Sequence, residues 1–329
     1  MKADSAHGSS PIASILRALG ANFGIAVIKT ITAVMTGSGA MLAESIHSFA
    51  DCANQLLLLL GIREAKKPES EKHPFGHERV KYFYSLMVGF LLFSMGGVLS
   101  MYKGYEHFTH PEPLEYVGYA ILVLLVSIAL EGYALRGALE HIKKERAGMS
   151  LLQWFKETRS SEMLIVTGED IAAITGLLLA LASLAIAYVT GDSRWDALGS
   201  MLVGAVLIGV AIFIVLEIKS LIVGESASPK KHRAMEAFIE ARPEIKTLYR
   251  LVTLQWGAQV MVMIQAEMHR TGSEFGLVDA TNRVEEALKE AFPDIKHIYF
   301  EPDRNREVHE YEEELDEEEL DEEELETSA

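Results

Sequence analysis

The sequence predicts an all-α bundle of six membrane-spanning helices followed by a small α+β domain, and three observations carry that prediction. Long apolar segments fill the first two-thirds of the 329 residues, the links between them alternate in basic charge, and the composition turns soluble after Gly224. A spanning helix needs about 20 mostly apolar residues. Six segments reach that length, at residues 13–36, 40–62, 82–105, 115–138, 163–189 and 196–223. The first two carry several polar residues, so one side of each should face protein or water. The third and fourth read as lipid-facing, although the fourth holds an acid, Glu131.

The basic residues set the expected orientation. Arg63, Lys66, Lys67, Lys72, Arg79 and Lys81 crowd the link between segments two and three, and Arg136, Lys143, Lys144, Arg146, Lys156 and Arg159 that between four and five. The alternate links are nearly bare, with only Lys103 and Arg194. The positive-inside rule then places both termini on the cytoplasmic side, or on the equivalent side of an organelle membrane. The plasma (inner) membrane is the expected location. The formal net charge of −17 falls to −3 once the fourteen acidic residues of 307–326 are set aside, so the acidity belongs to a tail. The one cysteine, Cys52, excludes an internal disulfide framework and a Cys-rich zinc cluster. Residues 1–12 are small and polar and read as a flexible N-terminus without a cleavable signal, ahead of a membrane domain over 13–224.

A second domain is expected over 225–304. SPKKHRAMEAFIEARPEI reads as a helix with Ser228 as N-cap and Pro229 in its first position. TLYRLVTLQWG and AQVMVMIQAEMHR read as strands about a turn at Gly257, SEFGLVDATNRVEEALKEAF as an amphipathic helix and KHIYFEPD as a last strand. The order αββαβ suggests two helices on one face of a sheet. In the tail, 305–329, leucines recur every five residues at Leu315, Leu320 and Leu325, a period that builds no apolar stripe, so disorder is expected.

The chemistry-bearing residues lie where they are costly. His47 and Asp51 stand four apart within the second apolar segment, which puts both on one helix face. A charged side chain at a bilayer centre costs roughly 2.5–3.5 kcal/mol on insertion scales, so such residues point to a pathway or a bound ion. Imidazole with carboxylate suits a divalent transition metal, and Asn54 extends the polar face. In the fifth segment Glu169 and Asp170 open an apolar run, with Gly168, Ala172, Ala173 and Gly176 forming a small-residue face for close helix approach. Neighbouring positions differ by about 100° around a helix. Asp170 is therefore read as the ligand, and Glu169 as a second ligand, a proton acceptor or a packing partner. His73 and His77, with Glu69 or Glu71, frame the loop HPFGHER, where they either share a metal or cap the third helix and organise the loop. His232, His269, His297, Glu301 and Asp303 are possible ligands in the second domain, with His297 best placed; the alternative is an ordinary polar surface.

With these motifs in order, the chain resembles the cation diffusion facilitator family from residue 12 to about 303. The resemblance rests on AESIHSFADCANQ, on HPFGHERVKYFYS, on DSRWDALGSMLVGAVLIG and on the αββαβ domain. Many members carry two fifth-helix ligands four residues apart. Here Ile174 follows Asp170 by four and Val166 precedes it by four, so GEDIAAITG instead resembles a divergent branch with a Glu-Asp pair, which includes mitochondrial zinc-transporter-like proteins. The resemblance implies a homodimeric antiporter, not an enzyme, that exports divalent cations, most often zinc, in exchange for protons. Manganese or iron is the alternative cargo, and a membrane-anchored metal sensor the alternative class. It further implies metal sites in the loop, at His73, His77 and Glu71, and in the soluble domain, at His232 and His297. Besides the transported ion no cofactor is expected, and the expected partners are cations, protons, lipid and a second copy of the chain, without nucleic acid. An intramembrane hydrolase is disfavoured because neither HExxH nor a nucleophile elbow occurs.

Overall fold

The computed structural model describes residues 11–111, 113–146 and 148–304. The expectations of a flexible N-terminus and a disordered acidic tail fall largely on residues 1–10 and 305–329, outside the described residues. Two compact units emerge, one of residues 1–228 with 255–259, the other of 229–254 with residues from 260 onward.

The first unit is helical: α1 (Pro11–Thr36), α2 (Gly39–Ala65), α3 (Val80–Leu91), a π-helical segment (Leu92–Val98), α4 (Leu99–Thr109), α5 (Val117–Arg146), α6 (Leu151–Glu157), α7 (Ser161–Thr190) and α8 (Arg194–Val223). Local sequence sets several boundaries. Ser38, Ser150 and Ser160 are N-caps whose hydroxyls accept from the backbone amides of Met41, Gln153 and Met163. Gly191 ends α7 at φ 71°, a left-handed cap that glycine adopts without a Cβ penalty.

Four helical runs are long and apolar enough to cross a membrane: Val80–Thr109, Val117–Lys143, Ser161–Thr190 and Arg194–Val223. This corrects the expected six. α1 and α2 form where the sequence places them, but the apolar part of α1 is the shorter run Asn22–Thr36. α2 is diluted by Glu44, His47, Asp51, Asn54 and Gln55, all of them polar. The short α6 was not expected. LLQWFKE sits inside a charged link, where it buries Trp154 and Phe155.

Helices α7 and α8 pack along each other, α5 lies against α7, and α2 packs on α1, α3 and α8. Leu92, Leu124, Leu164, Leu177, Leu184 and Leu207 are fully buried between them. Large apolar side chains such as Phe90, Leu122 and Leu216 point outward and stay more than half exposed, as a lipid-facing surface requires. The contact between the α3–α4 run and α8 is set by glycine. A Cβ on Gly204 would lie 2.8 Å from both the Gly97 carbonyl oxygen and the Met101 amide nitrogen, so the backbones meet there without side chains between them.

The second unit contains α9 (Pro229–Glu240), β1 (Ile245–Trp256), β2 (Gln259–Met268), α10 (Glu274–Ala291) and β3 (Ile295–Pro302), so the order is αββαβ. The sheet runs β1-β2-β3, with β3 parallel to β2 and His297 opposite Met261. Gly257, at φ 65°, makes the turn between β1 and β2, and residues 255–259 belong with the first unit. Met235, Ile239, Val260, Val262, Val284 and Leu288 form the core. Glu244 ties α10 to the α9–β1 link by accepting from Arg283 Nε at 3.1 Å. Burial alone would raise its pKa, but the hydrogen bond from Arg283 and the neighbouring guanidinium charges win and hold it below the usual carboxylate range.

Candidate metal transport site

The polar face of α2 is a ladder. Glu44, His47, Asp51 and Asn54 follow at spacings of three, four and three, which keeps them on one side of the helix. His47 is 1% exposed, and its Nδ1 lies 3.6 Å from Asp51 Oδ1. That is a close approach rather than a hydrogen bond. Both imidazole nitrogens, Asp51 Oδ1, Asn54 Oδ1 and Glu44 Oε1 are buried without a hydrogen-bond partner among the described residues. Buried polar atoms usually have partners, so a row of open nitrogens and oxygens is a surface suited to an ion or water.

α7 supplies the facing half. Its small residues do what their size suggests: Gly168 abuts Ile214 of α8, and Gly176 abuts Val203 of α8 and Glu44 of α2. Glu169 is buried and its Oε1 accepts from Asn54 Nδ2 at 2.5 Å, so it is Glu169 that bonds directly to the α2 ladder. Asp170, read from sequence as the ligand, is half-buried one position on. Both its α2 counterpart Asp51 and the α5 acid Glu131 lie within electrostatic reach. Among the described residues no three His, Cys, Asp or Glu side chains converge closely enough to hold a metal. The structure therefore sets His47 and Asp51 beside each other and joins Glu169 to Asn54. It does not bring His47, Asp51, Asp170 and Glu169 into one coordination shell.

The other candidates are dispersed. His73 and His77 stack with ring centroids 4.3 Å apart, in a loop turned by Gly76 at φ 74°. The loop is not helical. α3 starts without a side-chain cap, so neither imidazole caps it, and Glu71 is exposed. In the second unit His232 Nδ1 lies 3.1 Å from Thr253 Oγ1, whereas His297 sits in β3. Asp303 accepts from Gln265 Nε2 at 3.0 Å, and the His269 amide donates to the Glu244 carbonyl.

Sequence reasoning missed two buried groups beside the ladder. Lys29 of α1 is 1% exposed and donates to Glu44 Oε2 at 3.1 Å and to Ser48 Oγ at 3.0 Å. A lysine in the middle of the first apolar segment, and a glutamate one turn before His47, were the available signals. Asp196 at the start of α8 is also 1% exposed, and accepts from Ser38 Oγ at 2.8 Å and from the Ala40 amide at 3.3 Å. It ties the first turn of α2 to α8. The motif DSRWDALGS was legible, but not which of its two aspartates turns inward.

Residues 15–223 match the family model of the cation efflux transmembrane domain. Among similar proteins is the mitochondrial proton-coupled zinc antiporter SLC30A9 of Xenopus laevis, 32% identical over 74% of this chain and 44% of that protein. The Arabidopsis thaliana metal tolerance protein C4 is 28% identical over 72% of this chain and 52% of that protein. The Klebsiella pneumoniae cation-efflux pump FieF is 24% identical over 81% of this chain and 84% of that protein. The chain thus spans about half the length of the eukaryotic relatives. The expected plasma-membrane location gains no support from them, because the animal relative is named as mitochondrial.

Proposed function

The chain belongs to the cation efflux family, whose members are membrane transporters rather than enzymes, and from that premise we propose that it exchanges a divalent cation, zinc in the first instance, for protons. The observation that carries this reading is the α2 ladder of open, buried nitrogen and oxygen atoms facing α7. In the proposed site His47 and Asp51 bind the ion together with Asp170, and Glu169 or water completes the shell. α1 and α2 cross the membrane with the four apolar runs, their polar faces turned into the bundle. A small change in the approach of α2 and α7, in which Glu169 exchanges Asn54 for the ion, closes the shell.

Metal binding needs neutral imidazole and ionised carboxylates, so loading expels protons, and protonation on the other side releases the metal. One set of residues thereby serves both ions, and rocking of helices against one another alternates access. Zinc is favoured over manganese or iron by the imidazole in the first shell and by the name of the animal relatives. The homodimer, and secondary metal sites at His73, His77 and Glu71 and at His232 and His297, remain parts of the same proposal.

The test is zinc uptake into proteoliposomes under an imposed proton gradient. Asp51→Ala is expected to abolish uptake while the protein elutes and melts as the parent does. Full transport by Asp51→Ala would remove the assigned site.

A further inference from the structure

The Lys29–Glu44 ion pair is the buried feature that the proposed site does not use. Glu44 is fully buried on the ladder face, one turn from His47 toward the N-terminal end of α2. One of its oxygens, Oε2, accepts from Lys29 Nζ at 3.1 Å. The other, Oε1, has no hydrogen-bond partner among the described residues and abuts α7, 2.9 Å from where a Cβ on Gly176 would lie. Lys29 is itself held in place by Ser48, the residue after His47.

A carboxylate oxygen left open beside a histidine at helical spacing is a competent ligand for a divalent cation. It lies on the path an ion would take from His47 and Asp51 toward the N-terminal end of α2, the non-cytoplasmic end in the positive-inside reading. Transport requires each position on a path to bind weakly enough to release. An ammonium fixed on the same carboxylate supplies that weakness, because it neutralises the carboxylate and repels a second cation. The cost of burying both charges makes the pair a poor device for stability alone.

We propose that Lys29 is a positioning residue that occupies Glu44 as an internal cation and so keeps this carboxylate from trapping the transported divalent ion on its way out. The proposal rests on the transport reading above, since it assigns Glu44 to the path of the ion.

The experiment measures zinc affinity of the full chain in detergent, by equilibrium dialysis with metal analysis, alongside zinc flux in proteoliposomes. Lys29→Met exposes Glu44 to the ion, so zinc should bind roughly tenfold tighter, with slower turnover and a lower KM. Glu44→Gln leaves the ammonium uncompensated beside His47, so zinc should bind more weakly. The double variant Lys29→Met/Glu44→Gln should return close to the parent. A pair that served only to hold α1 on α2 would move both single variants in the same direction, and that result overturns the proposal, as does unchanged affinity in Lys29→Met. Should Lys29→Met not fold, Glu44→Gln and the double variant decide it: zinc binding by Glu44→Gln no weaker than by the double variant is the overturning result. Absence of flux in the parent protein would remove the transport reading, while binding shifts of opposite sign would still support the part assigned to Lys29.

Discussion

At the residue scale, the α2 ladder was legible because four polar side chains at spacings of three and four cannot be scattered around a helix. What they bond to was not legible. Lys29 and Glu44 are fifteen residues apart on two helices, and only packing decides that one ammonium meets that carboxylate. The choice between Glu169 and Asp170 had the same limit, since a rotation of about 100° separates them and nothing in GEDIAAITG states the rotation of α7 in the bundle. The Asn54–Glu169 bond gives a prediction at this scale. Asn54→Ala leaves the Glu169 carboxyl buried without its donor, which costs about 1–3 kcal/mol, so the thermal midpoint in detergent should fall. Asn54→Asp should fall further, because it sets a second carboxyl against the first.

At the element scale, the long helices and the αββαβ order followed from apolar length, from alternation and from the turn residue Gly257. Two elements escaped. α6 is seven residues long and shorter than any period can establish, and the π-helical segment contains no residue that forbids an ordinary α-helix. Both are settled by neighbours: Trp154 and Phe155 finding a core, and the α3–α4 run following α8. The tightest of these contacts is at Gly204, between the Gly97 carbonyl and the Met101 amide. Because the atoms it faces are backbone, they cannot rotate away. Gly204→Val should therefore destabilise the bundle by more than the ~1–3 kcal/mol typical of overpacking. A detergent melt compared with Gly209→Val, where a Cβ would meet nothing within 4 Å, isolates the effect.

At the scale of the whole molecule, hydropathy gives the membrane and charge gives the direction. The outward faces of the apolar runs carry Phe90, Leu122 and Leu216, while the basic residues gather in alternate links. Cys52 is the only cysteine and is 7% exposed, so a cysteine-free parent needs one substitution. Single cysteines placed at Lys72 and at Glu115 on that background should react with a membrane-impermeant maleimide from opposite sides of sealed vesicles. Reaction from the same side would undo the assigned orientation and with it the direction of release past Glu44. The π-helical segment Leu92–Val98 has a consequence of another kind. Such a segment is a helix holding an extra residue in its winding, so the two halves of the Val80–Thr109 run are set out of phase with one another. Removing one residue between Leu92 and Val98 would restore an ordinary helix and still span the membrane, yet it would turn everything beyond it by roughly 100° and swing Gly97 and Gly104 off α8. The segment works as a phase shifter, and what its neighbours constrain there is the number of residues more than their kind.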